Sequence, residues 1–300
     1  MSKHNQQPDN GNLTQHHVAR VNGIRMHYVT AGQGDPVVLL HGFAQTCHMW
    51  IARIMPALAQ RYTVVAPDLR GAGDSEKPPH GYDKKTLAED VYQLVQHLGF
   101  KKIFLVGHDF GANTAYAYAA AHQDQVRRLV FLETLLGGFG YEDALRHPFA
   151  TDGLGRAVWH VGFLDSPDGI PEALIAGRER LLLRWFHQHF AYNPTAVSAE
   201  DLEEYVRCYS SPGGLHALKY YSTHYEDAAH NRVLAKTPLK MPVLAYGGAA
   251  FLGEGPKKAL EQLAVNVRGG SIPECGHWIP EERPQFLIDE LLKFFAEEDG

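Results

Sequence analysis

The stretch IFLVGHDFGAN, residues 103–113, decides the fold. A continuous apolar run ends in Gly107-His108-Asp109-Phe110-Gly111 and passes into the Ala-rich segment GANTAYAYAAAHQ. This reads as strand, sharp turn, helix. The glycines permit a strained turn that lifts the central side chain above a sheet. The following helix then aims its positive N-terminal end at that side chain. In many such turns the central residue carries a hydroxyl. Here it is Asp109, a carboxylate. Taken alone, Asp109 could equally be a plain helix N-cap.

Outward from this turn, other apolar runs recur at regular distances. They are PVVLLHG (36–42), YTVVAPD (62–68), RRLVFLE (127–133) and MPVLAYGG (241–248). Runs rich in Val, Ile and Leu suit strands buried on both faces of a parallel sheet. Upstream, VARVNGIRMHYVT places β-type residues on both sides of Asn22-Gly23, a two-residue hairpin signal. Helical patterns separate the first strands, including WIARIMPALAQR and TLAEDVYQLVQHLG. Thr86 and Glu89 read as a capping box for the latter, and Gly99 as its stop. Strand–helix alternation implies βαβ units and a doubly wound sheet. The alternation stops after Glu133. Residues 138–230 carry helical patterns such as PEALIAGRERLLLRWFHQHF and SAEDLEEYVRCYSS, with no convincing strand. The expected organisation is a tail over 1–17, an α/β core over 18–136 and 232–300, and a helical cap over 137–231.

Composition bounds the function. The 300 residues are 45% hydrophobic and 21% charged, which suits a globular chain with a sizeable core. A net charge of −6 without a basic block argues against nucleic acid and anionic membranes. Cys47, Cys208 and Cys275 are odd in number and form no CxxC pair, so they read as reduced thiols rather than zinc ligands. The polar N-terminus MSKHNQQPDNGNLTQ lacks the apolar core of a signal peptide, and a cytoplasmic location is expected.

Two further motifs give the Asp109 turn its companions. In LLHGF (39–43), the strand and His-Gly lead to the backbone N–H of Phe43. With the N–H of Phe110 it would form an oxyanion hole, while His41 itself reads as structural. In PECGHWIPEERP (273–284), His277 lies after the last strand, where a general base belongs. A neutral imidazole also needs an acid to set its tautomer. The strand PVLAYGG continues into Ala249 and Ala250, where an Asp would be usual. Glu254 is one candidate. Glu133, at the end of RRLVFLE and on the same rim of the sheet, is preferred. The order nucleophile, acid, base resembles the α/β-hydrolase superfamily across residues 18–300, and DLRGAGDSEKP (68–78) adds to the likeness.

A carboxylate nucleophile suits displacement at an sp³ carbon and gives an alkyl ester on the enzyme. That narrows the expected chemistry to epoxide opening or carbon–halogen cleavage. A halide needs N–H donors near the nucleophile, and neither Phe110 nor Phe43 has a side chain that supplies one. Haloacetate dehalogenases hold their substrate with arginines just after the nucleophile, where this chain has Phe110 and Asn113. An epoxide oxygen needs acids from the cap. AVWHVGFL, with His160, and GGLHALKYYSTHY, with Tyr220 and Tyr221, resemble the Cif-like epoxide hydrolases, as do LIAGRERLLL and PECGHWIPEE. This resemblance implies a ring-opening pair of His160 and Tyr221, with Tyr220 the alternative. It implies a homo-oligomer; the Phe, Leu and Trp of the cap point to an apolar epoxide, water is the second substrate, and no metal or organic cofactor is implied. The rivals are a haloalkane or haloacetate dehalogenase and a catalytically silent binding homologue.

Overall fold

In the computed structural model, which describes residues 14–145 and 158–297, the chain opens with a hairpin. Strands β1 (Gln15–Val21) and β2 (Ile24–Ala31) are joined by Asn22 and Gly23, both at positive φ. Strand β1 therefore begins three residues before the expected start of the core, because Gln15 to His17 pair with Tyr28 to Thr30. The rest of the expected tail, up to residue 13, lies outside the described residues. The next strands are β3 (Asp35–Leu40), β4 (Tyr62–Pro67), β5 (Ile103–His108) and β6 (Val126–Leu132). Strands β7 (Val243–Gly248) and β8 (Val267–Ile272) complete one sheet in the order β1-β2-β4-β3-β5-β6-β7-β8. Strands β3 to β8 are mutually parallel, and the hairpin adds two antiparallel strands at one edge. The sequence VRGGSI gives β8 little apolar signature, which suits its place at the other edge.

Apolar layers cover both faces of the sheet. On one side lie the helices Lys84–His97 and Phe110–Ala121, together with the cap. On the other lie Trp50, Leu58 and the C-terminal helix Pro284–Phe295. The helix Lys84–His97 starts earlier than a capping box at Thr86 would place it. Asp83 is its N-cap and accepts from the Thr86 N–H at 2.9 Å. Asp outcompetes Thr for this role because its carboxylate also complements the helix dipole. The helix Phe110–Ala121 lies close against the sheet. A Cβ on Gly111 would collide with the carbonyl oxygens of Leu40 and His41, so this approach needs glycine.

Among the described residues, the segment after β6 is helical, apart from isolated bridges at Leu136. Its helices are Tyr141–Leu145, Trp159–Leu164, Ile170–Ile175, Glu179–His189, Ala199–Tyr209 and His224–Leu234. The run PEALIAGRERLLLRWFHQHF is two helices, broken where Gly177 takes φ 77°. Ser198 and Asp201 form a capping box on SAEDLEEYVRCYSS. The last helix extends to Leu234, three residues beyond the expected boundary. None of the described helices is long and apolar enough to cross a membrane.

Buried ion pairs tie cap to core. Lys84 Nζ donates to Asp227 at 2.9 Å, to the Tyr220 carbonyl at 2.8 Å and to Thr223 Oγ1 at 2.9 Å. Asp227 also accepts the Lys84 backbone N–H at 2.7 Å. Asp201 joins His48 at 2.8 Å and Arg53 at 2.6 Å. Removing one member of a buried pair strands the other charge. Asp227→Asn is expected to cost about 3–5 kcal/mol of unfolding free energy, and Lys84→Met with Asp227→Leu much less. Urea unfolding midpoints check this; a single-variant cost below about 1 kcal/mol would refute a latch role.

Candidate active site

Three loops at the C-terminal rim of the sheet build the site. The first is the turn after β5. Asp109 sits at φ 53° and ψ −127°, a conformation that costs a non-glycine residue about 1–3 kcal/mol. Its N–H donates to the Leu132 carbonyl at 3.0 Å, which pins the turn to β6. The second is the loop after β3. The Phe43 N–H donates to Asp109 Oδ1 at 2.8 Å, and the Phe110 N–H also favours the charged carboxylate. Gly42 makes this approach possible, since a Cβ there would strike the Asp109 side chain. Both expected oxyanion-hole donors thus point at the carboxylate. Burial outweighs them and pushes the Asp109 pKa up to about 6.

The third loop carries His277. Its Nε2 lies 3.8 Å from Asp109 Oδ2. The loop is held from several directions: the His277 N–H donates to the Phe190 carbonyl at 2.8 Å, and His108 Nε2 donates to the His277 carbonyl at 2.7 Å. Glu282 accepts from the N–H groups of Gly276 and Trp278 with one oxygen, and of Tyr192 and Asn193 with the other. It therefore joins the histidine loop to the cap. Burial, reinforced by His108, His160 and His187, lowers the His277 pKa well below its ordinary value. The imidazole is neutral at pH 7.

Glu133 occupies the rim position expected of the acid, fully buried, at φ 51° after β6. Its carboxylate accepts from the N–H groups of Gly248, at the end of β7, and Leu252, in the loop that follows. It lines the same cavity as His277, but the two are not hydrogen-bonded here: His277 Nδ1 has no hydrogen-bond partner among the described residues. Burial raises the Glu133 pKa well above its ordinary value. Glu254 faces elsewhere and accepts from the Ser271 N–H on β8 at 2.9 Å.

The cap closes over these groups. His160 and Tyr221 both line the cavity, with rings 5.4 Å apart and perpendicular. Tyr221 also packs edge-on against Phe43 and Phe110. Tyr220 turns away, and its hydroxyl donates to the Arg70 carbonyl. The cavity measures about 80 Å³ and is walled largely by apolar groups. Several of its residues gave no sequence signal, among them Tyr141, Leu135 and Phe251. They carry no pattern of their own that marks them as walls, so only the folded structure assembles them.

Behind the site, Asp68 organises the loop DLRGAGDSEKP. It accepts from the Cys47 and Asp74 N–H groups at 2.8 and 2.9 Å and joins His27 at 2.7 Å. Burial opposes the charge, but the His27 bond, the His41 ring and the Cys47 N–H hold its pKa down to about 2. Among the described residues, His27, Cys47 and Asp68 are the group close enough to share a cation. The existing bonds explain their proximity without one.

Ionised Asp109 is uncomfortable where it stands. Its pKa is raised in the fold, so stability is highest while it is protonated and falls as pH rises through about 6. A change from 3.8 to about 6 corresponds to a cost of about 3 kcal/mol above that range. Asp109→Asn is therefore expected to raise the thermal midpoint at pH 8, with the gain shrinking towards pH 4. A gain independent of pH would contradict the assignment.

Comparison with known proteins agrees with this geometry. Residues 35–284 match the family described as alpha/beta hydrolase fold. The chain is 44% identical over 284 residues to a soluble epoxide hydrolase of Corynebacterium sp. (strain C12), covering 94% of this chain and 97% of that one. It is 31% identical to a fluoroacetate dehalogenase of Burkholderia sp., covering 92% of each. The solved structure of the epoxide hydrolase CorEH without ligand superposes with a TM-score of 0.87 at 42% identity, over 95% of this chain and 99% of that one. The protein belongs to the α/β-hydrolase fold family.

Proposed function

We propose that this protein hydrolyses apolar epoxides to vicinal diols through an ester on Asp109. One observation carries the reading: a buried carboxylate, not a hydroxyl, stands at the strand–helix turn, 3.8 Å from a histidine that burial keeps neutral. The high identity to an epoxide hydrolase supports the same conclusion. In the first step, Asp109 attacks a ring carbon and the carbon–oxygen bond breaks. Hydrogen bonds from His160 and Tyr221 stabilise the ring oxygen, which takes the Tyr221 hydroxyl proton that solvent later returns; such acid help is worth ~10²–10⁴ in rate. In the second step, His277 takes a proton from water, which attacks the ester carbon of Asp109. The Phe43 and Phe110 N–H groups stabilise the oxyanion, each worth ~10²–10³. As the acyl carbon–oxygen bond breaks, the diol leaves with an oxygen from Asp109 that takes the proton from His277, and the water oxygen remains on the enzyme. Glu133 completes the set as the acid that orients His277 once substrate fills the cavity. We further propose a cytoplasmic homo-oligomer, which fractionation and light scattering test.

The fluoroacetate dehalogenase relative carries a second reading, halide displacement by the same Asp109. Halide release from haloalkanes or haloacetates, without diol formation from epoxides, would favour it.

Trapping is the direct test. His277→Gln, mixed with a small epoxide, is expected to gain the mass of one epoxide, and Asp109→Ser in the same background to gain none. No adduct across varied epoxides and haloalkanes would refute the covalent route. The acid is tested separately. Glu133→Gln is expected to slow ester hydrolysis roughly 10²-fold or more, while Glu254→Gln turns over as the parent does. The reverse pattern would assign the role to Glu254.

A further inference from the structure

The main cavity has a smaller neighbour. Phe110, Leu135 and Tyr141 line both. The second cavity measures about 20 Å³, room for one oxygen-sized group. Its walls expose mainly carbon, and the residues behind them include Lys84, Asn113, His224, Asp227 and Asn231. Most of these groups are already engaged. Lys84 uses its ammonium on Asp227, Thr223 and the Tyr220 carbonyl. Asn231 Nδ2 donates to the Gly137 carbonyl at 3.1 Å, and His224 Nδ1 bonds the Tyr221 carbonyl at 2.9 Å.

Asn113 differs. The residue is 7% exposed, and its Oδ1 is buried with no hydrogen-bond partner among the described residues. The orientation of its amide follows from its neighbour. Thr134 Oγ1 donates its one proton to the Leu135 carbonyl at 3.2 Å, so it accepts from Asn113 Nδ2 at 3.1 Å. The atom left over is therefore an acceptor. A buried acceptor without a donor costs about 1–3 kcal/mol, which a matching donor recovers.

We propose that this small cavity is a distal subsite of the active site, where Asn113 Oδ1 accepts a hydrogen bond from a hydroxyl group on the epoxide substrate. The proposal rests on the epoxide-hydrolase reading and narrows its substrate class to hydroxy-epoxides. Asn113 lies in the first turn of the helix that Asp109 precedes, its N–H donating to the Asp109 carbonyl at 3.2 Å, a rise of about 6 Å over four residues. The hydroxyl accordingly stands about four or five bonds from the carbon under attack. The same chemistry excludes a carboxylate. A carboxylate would meet a bare acceptor beside Asp227, with the Lys84 charge already paired.

The test compares three epoxides of equal length that end in hydroxymethyl, ethyl or carboxylate, with the hydroxyl at this spacing. The wild-type enzyme is expected to favour the hydroxyl compound over the ethyl compound in kcat/KM by about tenfold or more, and to use the carboxylate least. Asn113→Leu, similar in size but without an acceptor, is expected to bring the hydroxyl-to-ethyl ratio to one or below. Because a ratio is read, a general loss of activity from altered packing cancels. A wild-type ratio of one or below overturns the subsite even if the variant does not fold. So does a preference that survives in Asn113→Leu. Turnover of the ethyl compound reports separately on the parent reading: if the wild type opens none of the three, epoxide hydrolysis itself fails.

Discussion

The hydrogen bond from the Phe43 N–H to Asp109 Oδ1 joins the two loops on which the site depends. It requires the ends of β3 and β5 to lie within reach of one another. That in turn requires Gly42 and Gly111, where any side chain would enter the neighbouring loop or strand. It also requires Asp109 to hold a left-handed backbone conformation that its own residue type disfavours. The sheet supplies the compensation. Strands β3, β5 and β6 are buried on both faces, and the Asp109 N–H is tied to the end of β6. The strain at one residue is thus held by the packing of three strands.

Those strands were legible in the sequence because a doubly covered parallel sheet leaves continuous apolar runs. The turn was legible because its glycines and its single carboxylate lie within five consecutive residues. Strand β8 was less so, since VRGGSI is an edge strand with little apolar content. The helix Lys84–His97 is evident from its apolar spacing, but its start is ambiguous, because Asp83 and Thr86 both carry capping chemistry and the structure uses the first. The walls of the cavity were least legible. Leu135, Tyr141 and Phe251 carry no pattern of their own that marks them as walls, and it is the fold that brings them to one place.

The position of Glu133 shows how far sequence reasoning reaches. The end of a strand places it on the rim that carries Asp109, and the structure buries it beside the same cavity as His277. Sequence does not say where the carboxylate points. It faces the N–H groups of Gly248 and Leu252, on either side of the Ala249 and Ala250 that replace an expected acid. A single carboxylate therefore both secures the loop after β7 and stands near the histidine. Glu282, one helical turn beyond Trp278, plays the complementary part. Through its two oxygens it fixes the backbone on either side of His277 and binds two cap N–H groups.

The electrostatics of the pair follow from the same burial. An apolar cavity disfavours every charge, so it raises the pKa of Asp109 and lowers that of His277. These shifts act in opposite directions on charge but converge on one reactive state. Above about pH 6 the carboxylate is ionised while the imidazole is uncharged. A nucleophile needs the first condition and a base the second. Had burial been relieved by a nearby cation in contact with Asp109, its pKa would fall and its nucleophilicity with it. Lys84, the cation whose field reaches Asp109, is instead paired with Asp227 and lies over the Phe110 ring at 4.7 Å. The ion pair that ties cap to core thereby also engages the cation whose field reaches Asp109.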